Sequence, residues 1–198
     1  PPRVVHEAGL RSYGGKKLKP GWSLDLTIDD PETGLPWDLG NSAVQAKVMK
    51  LITEGRPYMI MMSPMCTAFS VIQNINKNRR PRKIIEDEIK EARKHIKFAM
   101  KICEEQDKHG RYFAFEHPAT ASSWKLEEVM RIGRMDGVHI TKFDMCEFGL
   151  YIEDNNGAGP AQKRTAVMTN SPEVAKRLKR KCRNTTDSTE RHVHVKLE

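Results

Sequence analysis

Apolar residues follow two rhythms along this chain: short continuous runs, and longer stretches with three- and four-residue steps. The run Tyr58-Met59-Ile60-Met61-Met62 has the length of a buried parallel strand, and Ser63-Pro64 stops it. A second run, Tyr112-Phe113-Ala114-Phe115, ends in Glu116-His117-Pro118. Between them Ile85, Ile89, Ala92, Ile96, Ala99 and Cys103 recur at helical spacing, which predicts a helix over 83–108 closed by Gly110. Ser42 can cap a helix over 43–53 with Val44, Val48, Leu51 and Ile52 on its apolar face. The remaining pattern predicts a short helix over 3–10, a loop over 13–20, a strand over 22–26 and a turn-rich loop over 29–34. Beyond these it predicts a helix over 123–135, a strand over 138–143 and a polar loop over 151–159. A strand over 166–169 and a helix opened by Ser171-Pro172 complete the reading. Alternating strands and helices predict an α/β fold, a doubly wound, mostly parallel Rossmann-like sheet with helices on both faces.

A length of 198 residues suits one such domain, expected over 1–181, followed by a polar tail over 182–198. No apolar run is long enough to span a membrane. The chain opens at Pro1-Pro2 without a methionine, which reads as a fragment or a processed product. Cys66, Cys103, Cys146 and Cys182 are scattered and read as reduced thiols of an intracellular protein, nuclear or cytoplasmic. The net charge of +8 favours a polyanionic partner, of which nucleic acid is the commonest. Lys77, Arg79, Arg80, Arg82 and Lys83 crowd one segment just after Cys66. Lys176, Arg177, Lys179, Arg180, Lys181 and Arg183 form a second cluster, which reads as a solvated helix face.

The chemistry is concentrated where the strands stop. One strand end offers the Cys66 thiol and another the Glu116 carboxylic acid, and open α/β sheets place ligands at such ends. His117 next to Cys66 would allow a hydrolase dyad, but no glycine-rich oxyanion turn accompanies it. The polar tail could bind metal, although a long gap separates Cys182 from His192 and no cysteine pair is present, so that a polar tail containing histidines is the commoner reading. Cys182, His192 and His194, with Cys146, are the residues that would form a metal site.

Pro64-Met65-Cys66-Thr67-Ala68-Phe69-Ser70 resembles the Pro-Cys-Gln-x-Phe-Ser turn of cytosine-5 DNA methyltransferases. Phe115-Glu116-His117-Pro118 is similar to that family's Glu-Asn-Val strand end, and Gly159-Pro160-Ala161-Gln162-Lys163-Arg164 to its Val-Pro-Gln-x-Arg-x-Arg segment. The three occur in the family's order. Thr67 stands where the family has glutamine, His117-Pro118 where it has Asn-Val, and Thr165-Ala166 leaves out a second arginine. The resemblance implies an S-adenosylmethionine-dependent enzyme that methylates carbon 5 of cytosine in nucleic acid, DNA rather than RNA. Cys66 would add to carbon 6, Glu116 would hydrogen-bond or protonate the ring at N3, and Arg164 would support them. It further implies cofactor contacts from Asp25, Asp38 and Pro64, and substrate contacts from Ser63, Phe69, Ser70 and Gln162. Arg79, Arg80 and Arg82 would meet phosphates. The competing expectation is a non-catalytic nucleic-acid-binding module derived from such an enzyme.

Overall fold

The computed structural model describes residues 3–10, 12–13, 16–70, 80–154, 157–184 and 192–195. The chain divides after Pro57 into two compact units, Pro1–Pro57 and Tyr58–Glu198.

The first unit holds helix α1 (Arg3–Leu10), the short paired strands β1 (Ser12–Tyr13) and β2 (Lys16–Lys17), and helix α2 (Ser42–Gly55). Asn41 caps α2 in place of the expected Ser42, its side chain accepting the Ala43 N–H at 2.9 Å. Asn and Ser serve equally at this position, so the cap fell one residue earlier. The turn-rich loop is closed by Asp30, which is buried and accepts bonds from the Glu32 N–H, the Thr33 hydroxyl and the Lys47 ammonium. Lys47, first among these, holds the Asp30 carboxyl below its ordinary range. The strand expected over 22–26 does not form. Asp25 instead closes a turn, accepting from the Thr27 N–H at 2.9 Å and the Thr27 hydroxyl at 2.7 Å. Short polar side chains compete in this way with sheet pairing.

The second unit is built on four strands, β3 (Met59–Met62), β4 (Tyr112–Pro118), β5 (His139–Asp144) and β8 (Arg164–Thr169), in the order β3-β4-β8-β5. Helix α3 (Arg82–Lys108) crosses over between β3 and β4, which pair in parallel. The other two ladders, β4 with β8 and β8 with β5, are antiparallel. The expected mostly parallel, Rossmann-like sheet is therefore wrong: the sheet is mixed, with one parallel and two antiparallel pairings. Its cause is the insertion of β8 between β4 and β5, running against both. Alternation of strands and helices along a sequence fixes neither strand order nor direction, and β8 is reached through a hairpin instead of a helix. That hairpin, β6 (Tyr151–Asp154) with β7 (Gly157–Pro160), occupies the segment expected to be a loop. The Tyr58 run is likewise an edge strand, leaving Met61 about half exposed.

Alternation along the strands sorts the core onto two faces. Phe113, Phe115 and Met168 meet Ala92, Ile96, Ala99, Met100 and Cys103 of α3, with Val129 and Ile132 of helix α4 (Glu127–Gly133). α4 begins later than predicted, after a single 3-10 turn over Ser122–Lys125. On the opposite face Ala114, Phe143 and Val167 pack with Met59, Met145 and Leu178, the last from helix α5 (Pro172–Leu178). Ser171 caps α5 as predicted, accepting the Val174 N–H.

Candidate functional site

β3, β4 and β5 all point the same way and β8 opposes them, so four chain segments emerge at one end of the sheet. These are the Cys66 turn after β3, Glu116-His117-Pro118 closing β4, the Ala161-Gln162-Lys163 loop into β8, and the Asp144-Met145-Cys146 turn after β5.

The Cys66 turn is anchored twice. Phe69, at 4% exposure, is part of the α3-side core, and its N–H donates to the Cys66 carbonyl at 2.9 Å. The resemblance gave Phe69 a substrate contact; its ring is instead the plug that seats the turn. The second anchor is His117, whose side chain is fully buried. Its Nε2 lies 3.1 Å from the Pro64 carbonyl and its Nδ1 2.7 Å from the Ser123 hydroxyl. A carbonyl can only accept, so Nε2 carries the proton, and Nδ1 accepts from Ser123. Burial holds the imidazole below its ordinary pKa, with the Pro64 carbonyl opposing. The ring is thus neutral and both nitrogens are committed, which removes His117 as a base for Cys66. Pro64, expected to touch a cofactor, spends its carbonyl on this contact.

Cys66 and Glu116 are both half-buried. Among the described residues neither side chain has a hydrogen-bond partner. The register pairs Met62 with Phe115, so Glu116 lies one step beyond the last β3–β4 pair and Cys66 four. Glu116 shares the face of Ala114, while Arg164 shares the opposite face with Met168. Arg164 therefore does not meet Glu116 as expected. Its Nε lies 3.3 Å from the Asp144 carboxylate, a residue only 2% exposed whose other oxygen accepts the Cys182 N–H at 2.9 Å. Ser63 and Gln162 are exposed at this end of the sheet, and Ser70 closes the Cys66 turn through its N–H on the Thr67 carbonyl.

The expected phosphate contacts are arranged differently. Arg80 pairs with Glu88, and Arg82 with Glu86 at 2.8 Å, both on α3; Arg79 lies outside the described residues. A groove of about 480 Å³ beside the turn is lined by Met65, Thr67 and Ala68 on one side and by Asp87, Glu88 and Glu91 on the other. Arg80 and His95 line it as well, and Arg80 pairs with Glu88, so its charge is mixed.

The expected cofactor contacts Asp25 and Asp38 both have local hydrogen-bond partners. Asp25 is held below its ordinary pKa by the Thr27 amide, and Asp38 accepts the Gly40 N–H at 2.9 Å. Both carboxylates serve local turns in the first unit and contribute no strand end to the sheet.

The four residues weighed in the sequence as metal ligands converge at the β5 and β8 side of the same sheet end. Cys146, Cys182, His192 and His194 bring their ligand atoms within 4.8 Å of one another. The Cys182 sulfur is 3.6 Å from His192 Nε2 and 3.5 Å from His194 Nε2, and the two nitrogens are 2.7 Å apart. Burial, and then the Cys182 thiol, push the Cys146 thiol up to about 11. Sequence spacing left the convergence of the four residues open because they come from a turn after β5, a segment after α5 and the 192–195 segment. Ser123 and Asp144 were missed; a serine and an aspartate carry no signal until their partners are known.

Searches of protein-family models, of curated proteins and of solved structures find no match for the chain. Among the described residues no helix is long and apolar enough to cross a membrane.

Proposed function

We propose that the second unit uses Cys66 as a nucleophile on carbon 6 of a pyrimidine in nucleic acid, with Glu116 hydrogen-bonded to the ring. One observation carries this reading. The three segments that resemble cytosine-5 methyltransferases are distant in the chain, yet they leave adjacent strands at the same end of one sheet. Addition of the thiolate to carbon 6 breaks the 5,6 double bond and places the electron pair at carbon 5 and, through the ring, at N3. A carboxylic acid at N3 stabilises that charge, and expulsion of the thiolate restores the ring. The base must leave its stack to reach Cys66. S-adenosylmethionine remains the methyl donor implied by the resemblance.

The addition step is testable without a methyl donor. An oligonucleotide carrying pyrimidin-2-one in place of cytosine forms a lasting adduct with a thiolate at carbon 6. Intact-mass analysis should find one adduct per chain, mapping to Cys66, absent in Cys66→Ala and at least about tenfold slower in Glu116→Gln. An adduct on another cysteine, or none, overturns the reading. Binding without any adduct favours the second reading, a non-catalytic nucleic-acid module, which is motivated by the commitment of Asp25 and Asp38 to local turns.

A further inference from the structure

We infer that Cys146, Cys182, His192 and His194 form a tetrahedral, structural zinc site that fastens the chain's C-terminal segment to the end of the sheet. The inference stands independently of the Cys66 chemistry.

The donor set comes first. Two thiols and two imidazoles are the ligands of closed structural zinc sites, and a four-protein-ligand shell leaves no position for water or substrate. Two edges of the group match a metal at its centre. Bonds of about 2.3 Å to sulfur and about 2.05 Å to nitrogen, at the tetrahedral angle, set sulfur–nitrogen edges of about 3.6 Å. The two sulfur–nitrogen distances from Cys182 are 3.6 and 3.5 Å. The nitrogen–nitrogen edge would be about 3.4 Å, against the 2.7 Å observed, so the two rings spread slightly on metal entry. Two thiolates neutralise the dication, which makes the half-buried position tolerable.

The surrounding backbone holds each ligand in place. The Asn184 N–H donates to the Cys182 sulfur at 3.4 Å, the kind of bond that favours a thiolate, and the Asn184 amide donates to the His192 carbonyl at 2.7 Å. The Cys182 N–H is fixed on buried Asp144. Cys146 sits in a 3-10 turn ended by Gly149 at φ 77°, a left-handed position suited to glycine. Past His194, the Val195 N–H donates to the Pro160 carbonyl at 3.0 Å. At Gly159 a side chain would meet Val195 at 3.0 Å, so glycine permits this close approach. Hydrogen bonds alone explain the seat of each segment, but not why four metal-binding atoms from three segments converge on one point.

The test uses the full chain, reduced and stripped with a chelator, then titrated with cobalt(II). One equivalent should produce the intense visible absorption of a tetrahedral site with sulfur-to-cobalt charge transfer, and zinc should displace it. Cys182→Ser and His194→Asn should each weaken binding by at least about 100-fold, whereas Cys66→Ser should leave the spectrum intact. His192→Asn, on the same segment and remote from the core, provides a variant that keeps the fold. Protein purified without chelator should carry about one zinc per chain. Absence of the tetrahedral spectrum, its survival in the ligand variants, or a Cys146–Cys182 disulfide in place of bound zinc overturns the site.

Discussion

His117, the residue a hydrolase dyad would use as the base for Cys66, is spent on positioning. Its ring bridges Pro64 on the cysteine turn and Ser123 beyond β4, and stacks on Phe115 at 5.3 Å between centroids. Replacing it with alanine removes both bonds and opens space in the core, so His117→Ala should cost about 2–4 kcal/mol in chemical denaturation. The titration has a definite sign. Burial lowers the folded pKa below the unfolded value of about 6.5, so below that pH the unfolded chain binds more protons. The stability associated with a neutral His117 is complete above about pH 6.5 and is lost as pH falls through the folded value. His117→Gln should flatten that part of the stability–pH curve; an unchanged slope would show that the ring titrates freely.

At the scale of elements, Asn170 is a central polar side chain at the junction of α3 with β4 and β8. Asn170 accepts the Phe113 N–H at 2.9 Å and donates to the Arg111 carbonyl at 2.9 Å and to Asp107 at 3.0 Å. Thr169 reinforces it through its hydroxyl on the Phe113 carbonyl. Asn170→Ala leaves an N–H and a carbonyl of this turn unpaired, and should cost about 2–3 kcal/mol; a loss under about 0.5 kcal/mol would mean that water replaces the amide. Most elements at this scale were legible in the sequence. α3 was, because Ile89, Ala92, Ile96, Ala99 and Cys103 mark one face over many turns, and β4 was, because its apolar run Tyr112-Phe113-Ala114-Phe115 is continuous. Their arrangement was not. Nothing in Arg164-Thr165-Ala166-Val167 tells whether β8 enters the sheet parallel or reversed, since its pairing depends on the hairpin that delivers it. The site divided in the same way: Cys66 and Glu116 could be picked out from the strands they follow or end and the four Cys and His residues from their ligand chemistry, whereas the convergence of those four and the pairing of Arg164 with Asp144 depend on contacts between remote segments. Asp25 misled because a carboxylate after an apolar residue looks the same at a strand end and in a turn.

For the whole molecule, the question is where a net charge of +8 acts. Arg80 and Arg82 lie within bonding distance of Glu88 and Glu86, and such pairs are nearly neutral when viewed from beyond a Debye length of about 8 Å. The second basic cluster differs from the solvated helix face expected of it. α5 stops at Leu178, and the next residues form a strap along the sheet end, with the Arg180 carbonyl accepting the Asp144 N–H and the Arg183 N–H donating to Glu147. Lys179 and Lys181 are exposed on this strap, and Cys182 within it is a ligand of the inferred zinc site. The strap is therefore the better candidate for phosphate contact, and metal would fix its course. Lys179→Glu with Lys181→Glu should weaken binding of a short single-stranded oligonucleotide. It should also flatten log K against log salt by up to about 1.4, at about 0.7 for each phosphate no longer neutralised. Arg82→Glu should change affinity less than about twofold, because an exposed pair contributes little. Stripping zinc from the wild-type chain should weaken binding while preserving the salt slope, since the charges remain and only their placement is lost. If Arg82→Glu proves the more damaging change, the nucleic acid approaches from the α3 side and the strap is structural alone.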